Sequence, residues 1–228
     1  TYDDGLNSQL DTVVPALEAR GLKASFFLVR ENVDARIADW VKVAQLGHEI
    51  GNHTVSHPCD LAGYDETAFA EREVLPMEAY LDGHFGSERP RIFAYPCGYL
   101  GLGRGGRGRR FGRYRMAVKG AIRAARTVAG APNDPAKAWA NRLDLCAFEP
   151  TYEVDSIGPA VRYLNAALAR EGWAILVFHQ VLPKRLGEGD TSIATHARIL
   201  DLVQGRRFWC APMGQVFEHL THHPVTQG

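Results

Sequence analysis

The sequence predicts an α/β fold built on a parallel sheet, and three observations carry that prediction. Short unbroken apolar runs alternate with longer segments whose apolar residues recur at helical spacing, the pattern of repeated βα units. The runs ASFFLV (24–29) and AILVF (174–178) lack polar alternation, as strands covered on both faces require. The chain has 228 residues, 46% apolar and 23% charged, which suits one domain with a sizeable core. An open doubly wound sheet and a barrel both satisfy this pattern.

In chain order, TYDDG at residues 1–5 reads as the end of a strand whose beginning lies upstream, so the gene product is expected to continue before residue 1. A helix follows over about residues 8–20, with Leu10, Val13, Val14 and Leu17 on one face, Asn7 or Ser8 as cap and Gly21 as stop. The 24–29 run is the next strand. A helix over 33–46 closes at Gly47, and 48–52 is a short strand ending in His53. Residues 66–81 read as a helix and RIFAY (91–95) as a strand ended by Pro96. Further helices are expected at 161–170, 193–203 and 215–220, with strands at 174–178 and 208–210.

Charge and spacing exclude several functions. Lys+Arg 26 against Asp+Glu 26 leaves no net charge, which argues against a global grip on nucleic acid. The basic stretch at 98–115 (GYLGLGRGGRGRRFGRYR) reads as a mobile, solvated loop, and no nucleic-acid partner is expected. No apolar run approaches the ~18 residues of a membrane span. No G-x-G-x-x-G sits at a strand-to-helix turn, which removes the main argument for a dinucleotide. Cys59, Cys97, Cys146 and Cys210 are far apart and show no C-x-x-C spacing.

Four polar groups follow apolar runs: Asp3-Asp4, His53 with His57, the turn at 95–98, and His179. In a β/α barrel the C-terminal strand ends converge on one face, so these groups would meet. Together they offer ligands, a base, an acid and exposed amides, enough for a metal-assisted hydrolase. A helical turn would put His53 and His57 on one face, but Pro58 disfavours helix at His57, so an irregular turn is equally open. Blander readings stand beside each: Asp4-Gly5 as a plain turn, His179 as a core histidine. His219, His222 and His223 read as a solvated tail, and His48, His84 and His196 receive no functional reading.

TYDDG, HTVSH-Pro, FAYPCG and LVFH occur in the order found in the polysaccharide deacetylases, and the sequence resembles that family (carbohydrate esterase family 4, the NodB homology domain) from Thr1 to the closing FWCAPMGQVFEHL. The resemblance implies a single catalytic domain over 1–228, a distorted (β/α) barrel with fewer than eight regular strands. It implies removal of N- or O-linked acetyl groups from a glycan, with Asp3 as general base and Asp4, His53 and His57 as metal ligands. His179 would be the general acid, and the backbone N–H of Cys97 would contact the oxyanion. The implied cofactor is a divalent metal, zinc first and cobalt or another transition ion second. The implied partner is an acetylated glycan, and the implied setting is the envelope or the outside of the cell.

Two departures stand out. Ala94 occupies the place of an arginine that orients the base in the family, and no D-x-x-D-W string supplies an aspartate tether for the catalytic histidine. Asp144 and Asp155 are the candidate substitutes for that tether. The alternative function is therefore a catalytically impaired, glycan-binding relative of the same fold.

Overall fold

Seven parallel segments close into a barrel in the computed structural model, which describes residues 1–87, 90–98, 113–205 and 208–222. Four are regular strands in the order β1 (Ser25–Leu28), β2 (Glu49–Asn52), β3 (Arg91–Ala94) and β4 (Ile122–Arg126), all pairing in parallel. Three are joined by single bridges: Arg126 to Leu145, Phe148 to Leu176, and Phe178 to Tyr2, which also bridges Phe26 of β1. The seam is held by aromatic packing, with the Tyr2 ring stacked 5.1 Å from Phe26 and 5.5 Å from Phe178. This is the distorted barrel with fewer than eight strands that the sequence resemblance implies, and it resolves the choice left open between sheet and barrel.

Helices cover the outside. A π-helical turn (Gln9–Val13) leads into α1 (Val14–Glu18), α2 (Arg30–Val33) and α3 (Ile37–Gln45) precede β2, and α4 (Glu66–Phe69) and α5 (Leu75–Phe85) flank a second π turn, Ala70–Val74. Asp65 caps α4, its carboxylate accepting from Ala68 N–H at 2.8 Å. Then come α6 (Arg113–Val118), α7 (Gly158–Leu168), the short pair β5 (Val181–Leu182) and β6 (Thr191–Ser192), α8 (Ile193–Gln204) and α9 (Met213–His222). Trp40 of α3 and Leu17 of α1 bury against Phe26, as the helical spacing predicts.

Several expectations need correction. Residues 174–178 are extended but form no ladder, because their neighbours, Tyr2 and Phe148, each offer one bridging residue. Residues 208–210 are not a strand; Tyr2 already closes the barrel and leaves them no edge to join. β4 goes unpredicted because its sequence, IRAAR, lacks apolar bulk and its alanines favour helix. Residues 113–118 are helical rather than loop, whereas residues 99–112 of the basic stretch lie outside the described residues. His219 and His222 lie on α9 rather than in a tail, and His223 is outside the described residues.

Candidate active site

Nearly every segment of the barrel delivers a polar residue or a tight turn within two residues of its C-terminal end. Tyr2 leads to Asp3 and Asp4, β2 to His53, β3 to the Pro96–Gly98 turn, β4 ends in Arg126, Phe148 leads to Glu149, and Phe178 to His179. They line one cavity of ≈ 890 Å³ with His57 and Cys97, apart from Arg126, which lies beneath its floor. All six predicted site residues are thus brought together.

Asp3 is buried, and one of its oxygens accepts from Arg126 while Oδ2 has no hydrogen-bond partner. That free oxygen lies 3.8 Å from His53 Nε2 and 3.9 Å from His179 Nε2. Burial opposes charge on Asp3, but Arg126 with His53 and His179 outweighs it and holds the carboxyl below the usual carboxylate range. The Gln9 amide donates to the backbone carbonyls of Asp3 and His179, tying the two ends of the seam together.

Asp4, His53 and His57 face one another. Asp4 Oδ1 lies 3.5 Å from His53 Nε2 and 3.6 Å from His57 Nε2. Ligands about 2.0–2.2 Å from a tetrahedral zinc stand about 3.4 Å apart, close to the two distances from Asp4, and the three ligand atoms all lie within 4.8 Å of one another. His53 Nδ1 bonds the Ala94 carbonyl at 2.8 Å, which makes it the protonated nitrogen and leaves buried, unpartnered Nε2 with its lone pair toward Asp4. Burial, reinforced by His53, lowers the pKa of His57 and favours its neutral, ligating form. The donor set therefore fits a divalent metal.

The His53–His57 pair sits on the irregular turn rather than a helix. Thr54 and His57 both have positive φ, 73° and 53°, and His57 N–H donates to Thr54 Oγ1 at 3.0 Å. Glu73, buried in the π turn before α5, accepts from Ser56 N–H and Oγ and from Tyr64 and so anchors this loop. Opposite it, Cys97 also has positive φ, and Gly98 N–H turns back to the Tyr95 carbonyl at 3.0 Å. Gly98 is needed there: φ is +63° and a Cβ would stand 2.4 Å from Val128.

Both departures from the family pattern are filled from elsewhere in the chain. Arg126, fully buried over the face of Phe27, takes the place that Ala94 leaves empty beside Asp3. Glu149 accepts from His179 Nδ1 at 2.9 Å, the contact that the absent aspartate tether would make. Neither candidate substitute serves: Asp144 pairs with Arg115, and Asp155 accepts from Ser192 N–H. Burial lowers the His179 pKa, but Glu149 and Asp3 overcome it and raise it to about 9. The available signals were faint: an arginine ending a run of alanines, and a glutamate between Phe148 and Pro150, where proline favours extended backbone. The structure also joins Cys59 to Cys97 in a disulfide, which the absence of C-x-x-C spacing concealed.

The polysaccharide deacetylase family profile matches residues 1–101, the part that holds Asp3, Asp4, His53, His57 and Cys97. Residues 1–101 are similar to the polysaccharide deacetylases. Over 101 residues the chain is 31% identical to a peptidoglycan-N-acetylglucosamine deacetylase of Bacillus cereus, a match covering 44% of this chain and 36% of that protein. Beyond residue 101 the likeness to this family is one of fold. A candidate polysaccharide deacetylase from Mycobacterium smegmatis superposes with a TM-score of 0.67 at 16% identity, over 96% of this chain and 78% of that one. A family 4 acetyl xylan esterase from Clostridium thermocellum, solved with a cobalt ion, gives 0.61 at 19% identity, over 95% and 88%. A family 4 pseudoenzyme from Bacillus anthracis shares the fold too, at 0.56 and 14% identity over 95% and 64%. Deacetylase architecture alone therefore does not decide activity, and the side chains must.

Proposed function

We propose that this protein is a metal-dependent hydrolase that removes acetyl groups from a glycan. The observation that carries the reading is the free Oδ2 of Asp3, placed between the Asp4–His53–His57 cluster and the Nε2 of His179. Asp3 accepts the proton of the attacking water on that oxygen, while Arg126 holds the other. Asp4, His53 and His57 would hold a divalent cation, which would supply acidity to the attacking water by lowering its pKa to about 7. The Cys97 N–H, at the mouth of the Pro96–Gly98 turn, donates to the oxyanion. His179, with Nδ1 fixed by Glu149 and its pKa raised to about 9, is protonated at neutral pH and gives its Nε2 proton to the leaving nitrogen or oxygen.

The presence of Arg126 and Glu149 favours turnover over the impaired, glycan-binding alternative, whose basis was the absence of those two functions. A glycan substrate is supported by the 31% identity of residues 1–101 to a protein named as a peptidoglycan-N-acetylglucosamine deacetylase. The test is acetate release from a panel of acetylated glycans by zinc- or cobalt-loaded protein, expected to stop on chelation and return on metal addition. Glycan binding without acetate release from any member of the panel would establish the impaired alternative.

A further inference from the structure

We propose that the Cys59–Cys97 disulfide is a redox switch, clamping the His57 loop to the Pro96–Gly98 turn so that reduction by a dithiol loosens both together. This rests on the deacetylase reading only for its effect on turnover. Three observations carry it. Cys59 lies two residues after His57, and Cys97 is the middle residue of the turn, so one bond joins the metal side of the cavity to the oxyanion side. Among the described residues, five non-glycine positions have positive φ; three of them, Asp4, His57 and Cys97, line the cavity, and a fourth, Thr54, is buried in the loop that carries His57. Backbone in that region persists only where its surroundings hold it, and the disulfide is the covalent restraint shared by His57's loop and Cys97. Finally, Cys59 is exposed and Cys97 half-buried, so a reductant reaches the bond. Exposed disulfides are more readily reduced, and labile or regulatory ones are drawn from that class.

The chemistry balances as thiol–disulfide exchange. One thiolate of the dithiol attacks a cysteine sulfur and breaks the Cys59–Cys97 bond, and the second displaces that cysteine as the reductant closes its own disulfide. Two electrons and two protons pass to the protein, which leaves with two thiols.

The experiment uses the full chain loaded with zinc, before and after a phosphine reductant that brings no competing thiol. Mass spectrometry counts thiols, and the Cys146→Ser/Cys210→Ser variant confines the count to the pair. Expected on reduction are faster amide hydrogen exchange at residues 54–62 and 95–98, with the strands unchanged, and zinc affinity weaker by about tenfold or more, the range for losing support behind a ligand. Reoxidation restores both, and Cys59→Ser/Cys97→Ser behaves as the reduced protein whatever the reductant. Unchanged exchange and zinc affinity after verified reduction overturn the proposal, as does protein purified in air with all four thiols free. A second zinc taken up only by the reduced protein, and lost in Cys59→Ser/Cys97→Ser, also overturns it, by making the thiols ligands with His57 instead of a clamp. Failure to release acetate from any glycan counts against the deacetylase reading alone, because exchange and zinc are measured without substrate.

Discussion

At the scale of single residues, the two adjacent aspartates have different neighbours and so should fail differently. Asp4→Ala removes one of three clustered ligand atoms, and metal and turnover should be lost together. Asp3→Asn keeps the shape but cannot take a proton, so metal should stay while kcat falls by about 10²–10⁴. Bound metal per chain measured beside acetate release decides this, and loss of metal in Asp3→Asn would refute the assignment. Arg126→Met leaves Asp3 buried without its counter-charge, which should cost about 3–5 kcal/mol of stability. It should also move the acid limb of kcat/KM upward, because burial then pushes the carboxyl up unopposed by Arg126. An acid limb that stays in place would show that Arg126 does not tune the base. For His179 the sign is the reverse. A folded pKa of about 9, above the ordinary 6.5, contributes stability that is complete below pH 6.5 and lost as pH rises through 9. Glu149→Gln removes the main support of that elevation, so the alkaline limb of activity should shift down from 9 toward 6.5. A pH–rate profile unchanged by Glu149→Gln would separate Glu149 from the acid.

At the scale of elements, the irregular loop after β2 carries His57, and its geometry is not its own. Left-handed backbone at Thr54 and His57 costs of order 1–3 kcal/mol per residue. Glu73 offsets this with three hydrogen bonds into the loop, from Ser56 N–H, Ser56 Oγ and Tyr64. The disulfide adds a restraint over a separation of 38 residues, typically worth about 2–4 kcal/mol. Glu73→Ala should therefore weaken metal binding about 10–100-fold although Glu73 touches no ligand atom. Isothermal titration of zinc into the metal-free variant checks this; wild-type affinity would mean that the disulfide alone fixes the loop.

At the scale of the whole molecule, the candidate metal ligands come from two separate segments of the barrel, the closing one at Tyr2 and β2. Asp4 follows the closing segment of the barrel, and His53 follows β2, so a bound cation staples the seam to the sheet. Ligand at about 100 times its Kd stabilises the folded state by about 2.7 kcal/mol. For a domain of this size that corresponds to about 5–11 °C in Tm. Scanning calorimetry with and without a chelator should show a drop of that order, and an unchanged Tm at saturating zinc would argue that no cation links these segments.

What the sequence by itself determined was the alternation of βα units and the residues attached to its strongest signals. Asp3, Asp4, His53, His57 and His179 all follow local apolar runs or turns, and such patterns are written in consecutive residues. Arg126, Glu149 and the Cys59–Cys97 bond were decided only by the tertiary structure. Arg126 ends a strand poor in apolar bulk, Glu149 follows a segment paired through single bridges, and the two cysteines stand 38 residues apart. Each acts through a partner contributed by another part of the barrel. A parallel barrel brings its strand ends together by closure, and no local spacing records which end will stand beside which.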